Sequence, residues 1–152
     1  MELSLLKKEL IKNNKMKKKI FILGRGFSTS LFLKNIKKYK KNLIIGFNTD
    51  EIINDIDFYF TNKKKINTQV SKNKLFEIKT IHSYFRNKYK TYSIGSIKYS
   101  IDAILNIINK CVENINIQKP MDIVFVGFDF RTSLEHGDYK EKKRKNLIQS
   151  NI

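Results

Sequence analysis

The chain has 152 residues, the size of one ordinary domain, and its 41% apolar and 30% charged residues supply enough apolar material for one packed core. Lys and Arg outnumber Asp and Glu by 31 to 14, a formal charge of +17. A lone cysteine, Cys111, excludes an internal disulfide, and with two histidines it provides too few ligands for a Cys/His zinc site. No apolar run approaches the ~20 residues of a membrane span. Met1 to Lys19 lacks a signal-peptide core, so a cytoplasmic protein is expected.

The positive charge attracts anions at low salt, and a lysine-rich nucleic-acid-binding domain is one reading of it. Only Arg25, Arg86, Arg131 and Arg144 are arginines, however, whereas readers of bases and phosphates favour the planar arginine fork. Ile and Asn are as abundant as Lys suggests for an A/T-rich coding bias, which yields this composition without a polyanion partner. Charge alone is therefore a supporting clue.

In chain order, residues 2–15 form an amphipathic pattern with Leu3, Leu6, Leu10 and Ile11 on one stripe, a helix that docks on the domain or on a neighbour, a second copy of the chain included. Residues 17–130 then read as the main domain. Ile20-Phe21-Ile22-Leu23 is a continuous apolar run suited to a strand covered on both faces. The turn Gly24-Arg25-Gly26-Phe27-Ser28-Thr29-Ser30 follows at once, and Leu31, Phe32, Asn35 and Ile36 continue at helical spacing. Leu43 to Phe47 is a second buried-strand run ending at Asn48-Thr49-Asp50, where a short helix over 49–54 is expected, capped by Asn48 or Thr49. Phe58-Tyr59-Phe60 makes a third strand. Within 63–90 the apolar pieces Ile66 to Val70, Leu75 to Ile78 and Ile81 to Phe85 fit strand or helix equally. Ile97, Ile101, Ile104, Leu105, Ile108 and Val112 lie on one face of a four-turn helix. Met121 to Phe128 is the last strand, with Asp129 at its end, and 131–152 is a basic polar tail or the start of a further segment.

Strands alternating with helices predict a three-layer α/β domain with a mainly parallel sheet. Ligands of such sheets bind at the carboxyl ends of the strands, where Gly24 to Ser30, Asn48 to Asp50 and Asp129 all fall. The glycines let backbone approach an anion at a helix N-terminus, Ser28 or Ser30 adds a hydroxyl and Arg25 a charge, although any tight strand-to-helix turn also uses glycine. Thr29 stands where the third glycine of a dinucleotide fingerprint belongs, which argues against classical NAD binding, and no Walker pattern is present. Asn48 presents both a donor and an acceptor to a base or sugar, or caps a helix. Asp129 either accepts a sugar hydroxyl or holds a loop. Gly95 and Ser96, after Tyr92-Ser93-Ile94, open the long helix at its anion-favouring end. His82 lies in apolar surroundings and reads as structural. His136, in the polar segment 133–139, is the candidate general base or else a surface histidine.

Taken in order, Phe21-Ile22-Leu23-Gly24-Arg25-Gly26-Phe27-Ser28, Gly46-Phe47-Asn48, Asp57-Phe58-Tyr59-Phe60-Thr61-Asn62, Ser93-Ile94-Gly95-Ser96 and Val126-Gly127-Phe128-Asp129-Phe130 form a recognisable series. They resemble the Rossmann-like nucleotide-binding domain of bacterial sialyltransferases and motility-accessory-factor-like glycosyltransferases, over roughly residues 19–130. The resemblance implies a CMP-sugar held near Gly24, Gly26 and Ser28 at the phosphate or sugar, Asn48 at the nucleotide, and Gly95 and Ser96 at the cytidine or ribose. It also implies Tyr139 as a phosphate ligand. Phe27 departs from the proline usual in that family's turn, and the family's catalytic histidine normally comes later than His136. The expected function is thus a nucleotide-sugar-binding, glycosyltransferase-like domain of bacterial surface-polysaccharide or lipopolysaccharide synthesis. The alternative is a non-catalytic accessory domain docking a sugar-acid synthase or aldolase through residues 2–15 and 131–152.

Overall fold

The computed structural model describes residues 2–49, 52–62, 64–81, 96–113, 115, 117 and 120–128. The chain enters through helix α1 (Ser4–Lys15) and then builds β1 (Lys19–Leu23), α2 (Phe27–Lys34), β2 (Leu43–Phe47), β3 (Phe58–Thr61), α3 (Lys64–Gln69), β4 (Leu75–Glu77), the long helix α4 (Ser96–Val112) and β5 (Asp122–Val126). The five strands form one sheet in the order β4-β3-β2-β1-β5, and every pairing is parallel. This is an α/β, Rossmann-like layout. The apolar runs expected to be strands are strands, because a parallel sheet is covered on both faces and each position must be apolar.

Side chains alternate between the two faces, as the two-residue period of a strand demands. Ile20, Ile22, Ile45, Phe58 and Phe60 pack on one face with Leu6 and Leu10 of α1 and Ala103, Ile104, Ile107 and Ile108 of α4. Phe21, Leu23, Ile44 and Tyr59 pack on the other with Phe32 of α2, Ile36 and Ile66 of α3. On that second face Phe21, Phe32 and Tyr39 form an aromatic trio, with ring centroids 4.6–5.1 Å apart. The amphipathic N-terminal helix therefore docks on its own domain. Leu6 and Leu10 are fully buried, each worth about 1.5–3 kcal/mol.

Helix α1 ends in a Schellman arrangement. Lys17 takes the left-handed conformation at φ 54°, Lys17 N–H donates to Asn14 O at 3.0 Å, and Lys18 N–H donates to Asn13 O at 3.0 Å. The end carbonyls of the helix are thereby satisfied before the chain turns into β1.

Two expectations are revised or filled in. No helix forms from 49 to 54 among the described residues: 52 and 53 are irregular and 54–55 are a turn. The Tyr59 hydroxyl accepts from Ile53 N–H and donates to Ile53 O at 2.8 Å each, and Ile53 O also accepts from Ile56 N–H at 3.0 Å, so the Ile53 N–H is spent on a side chain and its carbonyl on a tight turn rather than on a helical ladder. The undecided stretch contains α3, a 3-10 turn at Lys72–Lys74, the short strand β4 and helical residues 78–81. Finally, β5 is only half-buried, with Phe125 37% exposed, because no described strand lies beyond it. Among the described residues no helix is long and apolar enough to cross a membrane. Cys111 is buried in the core, and that burial pushes its thiol up to about 11.

Candidate functional site

Strand order decides where a ligand can meet this sheet. From β1 the chain crosses to β2 on one side, while β5 returns on the other side of β1. The β1-to-β2 crossover packs α2 on one face and the β4-to-β5 crossover packs α4 on the other, which makes the carboxyl ends of β1 and β5 a topological switch point. Gly24-Arg25-Gly26 leaves β1 there, Gly127 and Phe128 leave β5, and Asn48 and Thr49 leave the adjoining β2.

The glycine turn is fastened to β5. Gly24 N–H donates to Val126 O at 2.7 Å, Gly26 N–H donates to Gly127 O, and Gly127 N–H donates to Ser28 Oγ at 2.9 Å. A Cβ on Gly24 would lie 2.6 Å from Gly127 O, a distance real Cβ atoms do not reach. Gly127 itself sits at φ 79°, left-handed space that favours glycine. Thr29, in the place of a third glycine, is buried and donates from Oγ1 to Gly24 O at 2.7 Å. Gly24 thus serves close backbone packing directly, and Ser28 holds the end of β5 as well as opening α2.

Helix α2 starts over this turn. Its N-cap, Gly26, provides no side-chain cap, and no acidic residue lies in its first turn, so the positive end of the helix dipole has no acid of its own helix beside it. Arg25 is half-buried at the same place. Across β1, Asn48 adopts the left-handed conformation at φ 51°, which Asn tolerates better than most residues, and its N–H extends the ladder by donating to Phe60 O at 2.8 Å. Its expected role as a helix cap is not realised. The Asn48 side-chain amide makes no hydrogen bond among the described residues. Next to it, Thr49 is buried and its Oγ1 has no hydrogen-bond partner among the described residues.

The structure therefore brings Gly24, Arg25, Gly26, Ser28 and Asn48 to one edge of the sheet. Gly95, Asp129, His136 and Tyr139 lie outside the described residues, as do His82 and the 131–152 tail; Ser96 is described by its backbone alone, as the first residue of α4. Thr29, Thr49 and Gly127 were not singled out as site residues. Gly127 had a visible signal, a glycine at the end of an apolar strand, but its partner Thr29 is distant in sequence and nothing local announces the pair. Among the described residues no group of three His, Cys, Asp or Glu could hold a metal ion. Comparison with family models, with curated proteins and with solved structures gave no match to this chain.

Proposed function

We propose that this domain binds a nucleotide or nucleotide sugar of the CMP-sugar type at the carboxyl edge of its sheet, as a glycosyltransferase-like domain of bacterial surface-polysaccharide synthesis. The observation that carries the reading is the strand order, which gathers the Gly24-Arg25-Gly26 turn, the start of α2 and Asn48 along neighbouring strand ends at a switch point. The amide of Asn48 and the hydroxyl of Thr49 add polar groups without protein partners among the described residues. The phosphate lies over the start of α2 near Gly26, Ser28 and Arg25, where the helix dipole favours an anion. Asn48 reads the base or the ribose with its donor and acceptor. The sugar class, of sialic-acid type, rests on the ordered motifs that resemble the sialyltransferase domain. His136 is the residue assigned to proton transfer, with Gly95, Ser96, Asp129 and Tyr139 completing the ligand set.

Calorimetric titration of the full chain with CMP, UMP and AMP at moderate salt tests this. Saturable binding that prefers CMP is expected, and Asn48→Ala weakens it about fivefold, the equivalent of one hydrogen bond of ~1 kcal/mol. Absence of heat with all three nucleotides, or binding indifferent to Asn48→Ala in a variant of unchanged melting temperature, overturns the reading.

A further inference from the structure

The opposite, amino edge of the sheet holds a cavity of about 220 Å³ between the second half of α1 and the segments that enter β1, β2 and β3. Its wall contains Glu9, Lys12, Lys18, Lys40, Lys41 and Asp57. Side chains anchor the backbone around it: Asn13 Nδ2 donates to Lys18 O at 3.0 Å, Lys19 N–H donates to Asn42 Oδ1 at 2.9 Å, and Ile44 N–H donates to Asp57 Oδ2 at 2.8 Å. The cavity is therefore framed by fixed segments, with the closed end of α1 on one side.

The charges in this wall are of both signs, yet none of the six is in an ion pair within 4.0 Å among the described residues. Lysines are abundant everywhere in this chain and by themselves mark nothing. Glu9 and Asp57 are different, being half-buried acids in a chain poor in acids, set in the same wall as four lysines and left unpaired. Opposite charges that line one cavity without pairing leave both signs available to a molecule in it. A divalent cation does not suit, because the lysines outnumber the carboxylates by four to two. The volume is that of about seven waters at ~30 Å³ each, and it falls below the ~300 Å³ at which drug-sized ligand sites begin.

We propose that this cavity binds a small phosphomonoester carrying hydroxyl groups, with the phosphate among Lys12, Lys18, Lys40 and Lys41 and the hydroxyls donating to Asp57 and Glu9. The Asp57 carboxylate, held through one oxygen by Ile44 N–H, accepts from a ligand hydroxyl through the other. The ligand's phosphate is too strongly hydrated to be drawn in by one lysine, and four ammonium groups at one rim supply the charge it needs. This site is separate from the nucleotide edge and does not rest on that reading.

Titration of the full chain at 150 mM salt with glycerol 3-phosphate, inorganic phosphate and glycerol tests it. Glycerol 3-phosphate is expected to bind more tightly than inorganic phosphate, and glycerol not at all. Lys40→Gln with Lys41→Gln weakens both phosphates tenfold or more and leaves any CMP binding unchanged. Asp57→Asn, or Glu9→Gln if the former fails to fold, shrinks the margin between glycerol 3-phosphate and phosphate. The exposed pair Lys64→Gln with Lys65→Gln, on α3, changes neither affinity. Absence of phosphate binding overturns the proposal, and so does an equal loss from the two lysine pairs, which would mean a diffuse surface charge only.

Discussion

Thr29 and Gly127 are packed so closely that a Cβ on Gly127 would lie 1.7 Å from Thr29 Oγ1. A residue on the first helix after β1 thereby dictates the residue that ends β5. Gly127→Ala is expected to destabilise the domain by about 2–5 kcal/mol. Left-handed backbone costs an alanine ~1–2 kcal/mol, and forcing a methyl group into filled space costs about 1–3 kcal/mol more. Adding Thr29→Ala to Gly127→Ala removes the 1.7 Å overlap, leaving Thr29 Cβ at 3.0 Å, but also removes the hydrogen bond to Gly24 O. The double variant should recover part of the loss, and a urea-denaturation double-mutant cycle reads the coupling. Additive losses would mean that the two residues do not meet.

At the end of α1 the left-handed position of the Schellman motif is filled by Lys17 rather than glycine. Lys17→Gly should therefore stabilise the protein by about 0.5–1 kcal/mol, the relief of backbone strain outweighing the extra freedom of glycine in the unfolded chain. Thermal melting should show a rise of roughly 2 °C for a chain of this length. A fall would indicate that the Lys17 side chain contributes more than its backbone costs.

Thr49 carries a buried hydroxyl with no partner among the described residues. Thr49→Val keeps the shape and removes the unsatisfied group, so the ligand-free protein should gain about 1 kcal/mol in urea denaturation. Gly46 limits what else can be placed here, since a Cβ added there would already lie 3.1 Å from Thr49 Cγ2.

Burial raises the Asp57 carboxyl above its ordinary value of 3.8, the Ile44 N–H opposes the shift, and the charge of Glu9 adds to it. A raised folded value means that the native state holds this proton more tightly than the unfolded chain. The stabilisation from that proton is present in acid and is lost as pH rises from about 3.8 through the folded value. Asp57→Asn removes this dependence while an amide oxygen still accepts from Ile44 N–H. Relative to the variant, the wild type should therefore lose stability between pH 3.8 and neutrality, measured as the difference in urea midpoints. A difference that is flat with pH would contradict the burial of this carboxyl.

Much of the sheet was legible because its strands are covered on both faces. Ile20 to Leu23, Leu43 to Phe47 and Phe58 to Phe60 are unbroken apolar runs, and only a buried parallel strand needs them. Strand β4 was not legible, since Leu75-Phe76-Glu77 is too short to show a period, and of the described side chains of α3 only Ile66 turns fully into the core. The helix expected over 49–54 is absent among the described residues for a tertiary reason: Asn48 and Thr49 are good caps, but the phenol of Tyr59 captures the Ile53 N–H. At the carboxyl edge the glycine turn announced itself, whereas its reason did not. Gly24 is required by Gly127 O, a contact across two strands that local sequence does not encode. The amino-edge cavity left no motif at all, because Glu9, Lys18, Lys40 and Asp57 come together only when α1 lies down beside the strand entries.

Strand β1 is the first of the five described strands to leave the ribosome and yet sits inside the finished sheet, with Lys19 matched to Asp122 and Leu23 to Val126. Its second hydrogen-bonding flank must wait for about a hundred further residues, which at ~5–20 residues per second is roughly 5–20 s of translation. During that interval the nascent polypeptide exposes an apolar strand border able to capture a stranger. A chaperone, or slow growth in the cold, should therefore matter more to the yield of this domain than five short strands suggest.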